Sequence, residues 1–313
     1  MVIDVAPEPA VGLVSTAPED KPEAVVPRTG PPKPGLVAIA LGVVLVVCAA
    51  TLFFVAFVFG LSGLQEQRSQ HELYAQFRGL VDPASPVAPS IGGVIPAGTP
   101  VALLNSPQAG WHDVAVVEGT SSSDLLAGPG HLADTPLPGQ PGESVLVGKS
   151  ATAGAPFADI VRLRKGDVVT VRTGQGNFHF TVQGRLAAGQ HPPTITTRDG
   201  LLTLVTSAGS TSLGSVAASH LIYVVAKLDG TVVPAPPHGP TSVPADQVQG
   251  QNDPGAWPFV ALWSAALLAA SAACWWMWWR WRMIQTWMIG APVILAILWG
   301  LSNEAMRLLP NVY

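Results

Sequence analysis

The sequence LLTLVTSAGS (residues 201–210) predicts a buried β-strand that ends at small hydroxyl residues. Leu201 to Thr206 are all aliphatic or β-branched, which is typical of strands in a protein core. Ser207 follows this run, and Gly209 ends it. Because active-site nucleophiles often lie at strand ends, Ser207 is a candidate nucleophile. The alternatives are that it is the remnant of a nucleophile, or only the polar end of a strand.

The composition is that of a membrane protein with a soluble part. The chain has 313 residues, of which 12% are charged and ten are tryptophan, and its mean hydropathy is +0.37. Ordinary cytosolic proteins are more polar. The formal net charge is −4, and Lys/Arg-rich runs are confined to short segments beside the apolar stretches. We therefore predict no nucleic-acid partner.

Three uncharged stretches are long enough to cross a bilayer, which needs about 20 helical residues. They are residues 36–64, 257–279 and 283–302. Only residues 280–282 separate the last two, which indicates a C-terminal transmembrane hairpin. The first stretch lies behind some thirty residues of Pro-rich leader, and no A-x-A-like cleavage site follows it. It is therefore predicted to be a retained signal anchor.

Basic residues predict the orientation of these helices. Arg280 and Arg282 lie in the short hairpin loop, and three further cations precede the first stretch. Because cytoplasmic loops are enriched in Lys and Arg, we place the N-terminus and the hairpin loop in the cytoplasm. A tryptophan cluster fits the interface on the same side: Trp275, Trp276, Trp278, Trp279 and Trp281. Packing within a helix bundle is the alternative role for these tryptophans.

The other segments follow from composition. They are a disordered cytoplasmic leader (1–35), a stem helix and Pro/Gly tether (65–99), a Pro-rich linker (231–256) and a short tail (303–313). Between the tether and the linker, residues 100–230 form one domain of ordinary size. Both cysteines, Cys48 and Cys274, fall within the transmembrane stretches. The domain therefore acts without a thiol.

The domain is predicted to be mainly β. Seven short segments have strand composition: Val101–Leu104, Asp113–Val117, Ser144–Val147, Asp167–Arg172, Asn177–Arg185, Leu201–Thr206 and His220–Lys227. Two short helices fit between them, at residues 121–128 and 155–163. Many short strands with few helices indicate a closed β-barrel, because closure removes exposed strand edges.

Several motifs of this domain resemble those of the sortases, the cell-surface transpeptidases of Gram-positive bacteria. In order they are GPGH (128–131), PGQPGESVLVGK (138–149), APFADIVRLRKGD (155–167), FHFTVQG (178–184) and TLVT (203–206). The similarity covers about residues 100–228 and extends to the actinobacterial, class E-like members, which also have an N-terminal anchor. The resemblance implies a sortase-like barrel on the outer side of a bacterial plasma membrane.

The resemblance also implies that the three catalytic positions are replaced. The family motif TLxTC ends in the nucleophilic cysteine, where this chain has Ser207. The catalytic histidine belongs to a GH pair, where this chain has Lys149. The family's arginine opens the strand after the nucleophile, but residues 208–226 contain no Arg or Lys, and the nearest polar residues are Ser219 and His220.

These replacements predict a degenerate enzyme. A serine hydroxyl needs an aligned base, and losing a cationic donor removes about 3 to 4 kcal/mol of transition-state stabilisation. The expected function is binding or scaffolding of a peptide, a surface protein or a membrane partner. The alternative is a Ser207/Lys149 acyl transferase or peptidase, which requires the pKa of Lys149 to fall towards roughly 7 or 8. The polar KS dipeptide indicates a solvated lysine instead.

The remaining candidates are histidines. His131 and His220 are weak candidates for a base, and a turn histidine that caps backbone groups is the alternative for His131. His112, His179 and His191 lack the spacing of metal ligands. TGQGNF (173–178) lacks the context of a phosphate-binding loop and reads as a hairpin turn. We therefore predict neither a metal nor a cofactor.

Overall fold

A β-barrel and three long helices make up the computed structural model, which describes residues 35–81, 94–186, 199–207, 221–235, 253–280 and 283–309. Four α-helical segments are present in these ranges: α1 (Leu36–Ala56), α2 (Ser62–Val81), α3 (Trp257–Arg280) and α4 (Met283–Arg307). One π-helical turn, Phe57–Leu61, joins α1 and α2 into a single continuous helix.

Three of these helical stretches are long and apolar enough to span a membrane: Ile39–Val81, Pro254–Trp278 and Thr286–Arg307. The prediction of one N-terminal and two C-terminal membrane helices is confirmed. The first stretch has 43 residues. At 1.5 Å per residue it is about 65 Å long, roughly twice the hydrocarbon thickness of a bilayer. Its polar second half, α2, therefore extends beyond the apolar layer.

The barrel has eight strands. They are β1 (Pro100–Ser106), β2 (Trp111–Glu118), β3 (Gly130–His131), β4 (Gly142–Val147), β5 (Val168–Thr173), β6 (Gly176–Leu186), β7 (Gly200–Ser207) and β8 (Leu221–Leu228). Their order around the closed barrel is β1-β2-β3-β4-β7-β8-β6-β5. The β2–β3 and β4–β7 pairs are parallel, and the other pairs are antiparallel. The predicted mainly β, closed-barrel fold is confirmed.

The barrel interior is a continuous apolar core. Alternate residues of each strand point inward, so the core draws side chains from all sides of the barrel. Large buried members include Leu104, Val116, Leu146, Phe180 and Leu202. Short 3₁₀ turns at Asp124–Leu126 and Ala158–Arg162 occupy the two predicted helical positions.

The very short β3 leaves much of one edge of β2 without a strand partner. β3 pairs with β2 only at Val117 and Glu118. Farther along β2, the side-chain amide of Gln70 takes the place of a neighbouring strand. The Ala115 N–H donates to Gln70 Oε1 at 2.7 Å, and Gln70 Nε2 donates to the Ala115 carbonyl at 3.1 Å. Gln70 also donates to the Ala127 carbonyl at 2.9 Å.

The same helix packs on the barrel through an apolar face. Leu73 and Phe77 of α2 contact Leu103, Ala115 and Val117 of β1 and β2. The spacing of four residues places Leu73 and Phe77 on one side of the helix. The stem helix is therefore part of the packed barrel structure.

The membrane helices contact one end of the barrel. Ala153, from the loop after β4, packs with Phe57, Val58 and Met306. The Ala153 N–H donates to Ser62 Oγ at 3.2 Å. These contacts bring the loop after β4 onto the point where α1 passes into α2.

A second polar contact joins the barrel to the C-terminal hairpin. Ser122 Oγ donates to the Leu309 carbonyl at 2.9 Å. Gln65 Nε2 of α2 donates to Asn303 Oδ1 of α4 at 3.2 Å. The described membrane helices and the barrel therefore share an interface made from both ends of the chain.

Candidate functional site

The parallel pairing of β4 and β7 places Ser207 and Lys149 at the same end of the barrel. Val147 of β4 lies opposite Val205 of β7. The chain continues for two residues beyond this pair in each segment, to Lys149 just after the end of β4 and to Ser207 at the end of β7. The two predicted site residues are therefore brought to adjacent strand ends.

Two further hydrogen bonds hold these strand ends together. The Gly148 N–H donates to the Val205 carbonyl at 3.0 Å, and Thr206 Oγ1 donates to the Gly148 carbonyl at 2.7 Å. A Cβ atom at Gly148 would overlap the ring of Phe157. Glycine therefore lets Phe157 pack directly against the backbone next to Lys149.

The Ser207 hydroxyl forms a hydrogen bond with a second serine. Ser207 Oγ lies 2.5 Å from Ser150 Oγ, and only 2% of Ser207 is exposed. The sequence reasoning did not identify Ser150 as a site residue. The only signal in the sequence that could have pointed to Ser150 is its position directly after Lys149. Its contact with Ser207 could not be predicted, because it depends on how the loop after β4 folds.

Lys149 is fully buried, with 0% of its surface exposed. The expectation of a solvated lysine is therefore wrong. The loop that follows Lys149 folds back, so that the Phe157 N–H donates to the Lys149 carbonyl at 3.0 Å. Burial disfavours the charged amine and lowers the pKa of Lys149 from 10.5 to about 8.

His131 lies in β3 rather than in a turn, and 2% of it is exposed. Its Nδ1 lies 2.8 Å from Glu118 Oε2, and its Nε2 lies 3.1 Å from the Pro136 carbonyl. Thr135 Oγ1 also lies 3.1 Å from Nε2, so both ring nitrogens are engaged within the protein. No hydrogen bond joins His131 to Ser207 in the described ranges. These bonds favour a structural role for His131.

The other predicted site residue, His220, lies outside the described residues, as does Ser219. Within the ranges that the structure describes, no group of three or more His, Cys, Asp or Glu residues is placed to hold a metal ion. The described site thus consists of two adjoining serine hydroxyls and a buried lysine. A neutral lysine amine accepts a proton from a serine hydroxyl when the two groups come within hydrogen-bond distance and a substrate reaches Ser207.

A family model described as the sortase domain matches residues 104–229 of the chain. Among curated proteins, none matches. Among solved structures, a sortase D5 transpeptidase from Clostridium perfringens is similar, with 18% identity and a TM-score of 0.42. The match covers 52% of this chain and 99% of that one.

Two class E enzymes are also similar. A point mutant of sortase E from Streptomyces avermitilis has 30% identity and a TM-score of 0.36, over 44% of this chain and 92% of that one. Sortase E1 from Streptomyces coelicolor, solved with a tripeptide in its active site, has 26% identity and a TM-score of 0.34. That match covers 43% of this chain and 91% of the other. The family model spans nearly the whole barrel, from within β1 to the residue after β8, and the barrel is therefore a sortase domain.

Proposed function

We propose that this protein is a catalytically degenerate, membrane-held sortase that binds a peptide or a surface protein. The observation that supports this most directly is the state of Ser207. The residue at the position of the family's nucleophile is a serine with 2% exposure, and its hydroxyl is hydrogen-bonded to Ser150. A hydroxyl in this state is a poor substitute for an accessible thiol.

The replaced base supports the same proposal. At neutral pH an amine with a pKa of about 8 is mostly protonated, so only a minor fraction of Lys149 is in the neutral form that accepts a proton from Ser207. The resemblance also places no arginine at the start of β8. The transition state of acyl transfer therefore lacks the cationic donor that the family uses.

The contacts between barrel and membrane helices support a scaffolding role close to the membrane. Two hydrogen bonds make these contacts: the Ala153 N–H donates to Ser62 Oγ of α2, and Ser122 Oγ donates to the carbonyl of Leu309, just after α4. A bound partner would therefore be held at a fixed height above the bilayer. A membrane protein that docks on the α3–α4 hairpin is the other kind of partner compatible with this arrangement.

The same proposal places the barrel on the extracellular side of the plasma membrane, with the N-terminus in the cytoplasm. The support is the distribution of basic residues, with Arg280 and Arg282 in the short loop between α3 and α4. This orientation also agrees with the surface location of sortase substrates.

A second candidate function is serine acyl transfer or hydrolysis by Ser207 and Lys149. The specific observation in its favour is that burial brings the pKa of Lys149 down to about 8. In this mechanism the neutral amine removes the Ser207 proton, either directly or through Ser150. Ser207 Oγ then attacks the acyl carbonyl, the leaving group departs with a proton from Lys149, and water or an amine resolves the acyl-enzyme.

One experiment separates the two functions. The full-length protein in nanodiscs is treated with a fluorophosphonate probe and, separately, with a sorting-type peptide, at pH 7 and pH 9. The binding proposal expects saturable peptide binding, no cleavage, and no labelling of Ser207 at either pH. Ser207→Ala should bind the peptide as well as the wild-type protein does, because binding does not need the hydroxyl.

Acyl transfer gives the opposite result. It predicts labelling of Ser207 and peptide cleavage that increase from pH 7 to pH 9, as Lys149 loses its proton, and that disappear in Ser207→Ala and Lys149→Met. Ser69→Ala on α2 is the matched control for loss of a serine hydroxyl. Cleavage that depends on Ser207 would overturn the degenerate-enzyme proposal.

A further inference from the structure

A cleft of about 560 Å³ lies between the stem helix and the barrel. Its walls are α2, the hairpin that joins β1 to β2, and residues 154–156 of the loop after β4. Neither Ser207 nor Lys149 is among its described lining residues. The cleft is therefore separate from the site considered above.

Glu66 of α2 lines this cleft with only 9% of its surface exposed. It forms no hydrogen bond or ion pair with another described residue. A carboxylate that leaves water without a partner loses several kcal/mol of solvation, so buried carboxylates are nearly always paired. The unpaired Glu66 must therefore either take up a proton or pair with a cation that comes from outside the protein.

The backbone around Glu66 is shaped to admit its carboxyl group. Gly154, with φ +71°, lies so close that a Cβ atom there would be 2.6 Å from Glu66 Oε2. A Cβ atom at Gly63, on the helix side, would be 3.6 Å from Gly154 Cα. Two glycines thus allow α2 and the loop to approach closely around the carboxyl group, and they contribute no side chain that could neutralise it.

Two further acidic residues line the cleft. Asp113 and Asp159 add two carboxyl groups, each of which has a protein partner: Asn105 Nδ2 lies 2.7 Å from Asp113 Oδ1, and Arg162 Nε lies 3.1 Å from Asp159 Oδ1. Two exposed imidazoles, His71 and His112, are the basic groups of the described lining. Glu66 is therefore the acidic side chain of the described lining that has no protein partner.

Two aromatic residues complete the walls. Trp111 Nε1 donates to the Pro156 carbonyl at 2.8 Å, which fixes the ring, and Tyr74 lies on the helix side. Aromatic rings in the wall of an acidic cleft are a favourable surrounding for an organic cation. An anionic ligand would be repelled by the three acids, and an apolar ligand would desolvate Glu66 further.

We propose that this cleft binds a ligand with a primary ammonium group and that Glu66 is its counter-ion. Glu66 lies two residues after Leu64, where the predicted membrane anchor ends. This position is close to the membrane surface, so the ammonium group can come from two sources: a small soluble amine or the headgroup of phosphatidylethanolamine. The recognition chemistry is the same for both.

The test uses the full-length protein in nanodiscs. In the soluble arm the nanodiscs contain phosphatidylglycerol alone, and ethanolamine or its neutral analogue ethylene glycol is titrated while the unfolding midpoint is followed. In the lipid arm half of the phosphatidylglycerol is replaced by phosphatidylethanolamine. Glu66→Gln keeps the shape of the side chain and removes its charge. Glu72→Gln, on the exposed side of the same helix, is the matched control.

We expect ethanolamine or phosphatidylethanolamine to raise the unfolding midpoint of the wild-type protein and of Glu72→Gln. In Glu66→Gln the affinity should be weaker by about tenfold or more, because a buried charge pair has lost one member. A response in the soluble arm identifies a free amine as a ligand, and a response in the lipid arm alone identifies the headgroup. An equal response of Glu66→Gln and wild type, an equal effect of ethylene glycol, or no response in either arm would overturn the proposal. This result does not depend on whether Ser207 is catalytic, because the cleft and Ser207 are tested by separate measurements.

Discussion

Lys149 occupies a position that desolvates its amine. In the unfolded chain this amine has the ordinary pKa of 10.5, and in the folded protein burial lowers the pKa to about 8. The folded state therefore binds the proton less tightly than the unfolded state. Below about pH 8 both states are protonated, and the full cost of burying the charge is present. As the pH rises from about 8 towards 10.5, the folded state is neutral and this cost disappears.

Lys149→Met should therefore stabilise the protein at pH 7. Methionine fills a similar volume without a charge, and the difference between the two pKa values corresponds to about 3 kcal/mol as an upper bound. The gain should shrink as the pH rises towards 10.5. Denaturant unfolding of the full-length protein in detergent, at several pH values, measures this. Lys165→Met, at an exposed lysine, should show neither effect. A Lys149→Met variant that is less stable than wild type at pH 7 would contradict the assigned burial cost.

Only part of the candidate site was predictable at the level of residues. The aliphatic run that ends at Ser207, together with the sortase-like motifs, singled out Ser207 and Lys149. The burial of Lys149 was not predictable, because it depends on a loop that packs on Phe57 and Met306, which are distant in sequence. The Ser150 contact depends on the same loop. The polarity of the KS dipeptide indicated a solvated lysine. Such local polarity does not predict exposure when elements distant in sequence cover the turn.

At the scale of elements, α2 completes the barrel by hydrogen bonding as well as by apolar packing. Gln70 satisfies both the N–H and the carbonyl of Ala115, a residue with 0% exposure. Without this side chain, two buried backbone groups of β2 would have no partner from the helix. The free-energy penalty of leaving a buried backbone group unpaired is larger than the net stabilisation that one hydrogen bond provides.

Gln70→Ala should therefore lower the free energy of unfolding by about 2 kcal/mol or more. The Ala115 amide should also lose protection in hydrogen exchange, while amides in β7 stay protected. Gln76→Ala changes an exposed glutamine of the same helix and should leave both quantities unchanged. If the two variants behave alike, the side-chain amide of Gln70 does not stabilise the strand edge.

The strands show what a local pattern can and cannot predict. The seven predicted strands correspond to β1, β2 and β4 to β8, because each has enough β-branched and aromatic residues to form a recognisable run. β3 was missed, since Gly130 and His131 form a strand of two residues. Its pairing comes from neighbouring strands on both sides rather than from its own composition. The turn predicted at TGQGNF is the β5–β6 hairpin.

At the scale of the whole molecule, the first and last helices meet beneath the barrel. Phe57 packs edge-on against Trp299, with ring centroids 5.0 Å apart, and Gln65 bonds Asn303. The three membrane helices were predictable from length and hydropathy alone. The contacts of these helices with the barrel were not predictable, because side-chain packing between separate elements produces no periodic pattern in the sequence.

The proposed orientation can be measured on living cells. In a background with Cys48→Ala and Cys274→Ala, Lys165→Cys on the barrel should react with a membrane-impermeant maleimide in intact cells. Thr16→Cys, in the N-terminal leader, should react only after permeabilisation, because the positive-inside rule keeps that segment in the cytoplasm. The reverse pattern of labelling would contradict the proposed topology.

The amide of Gln70 has a practical consequence for where this domain begins. A recombinant fragment cut at Pro100, where the first strand starts, would contain all eight strands and yet have an open strand edge at Ala115. Open edges recruit strands from other molecules and promote self-association. The smallest self-sufficient version of the barrel therefore includes the helix from Ser62 to Val81, and the boundary of the family match is not the boundary of the folding unit.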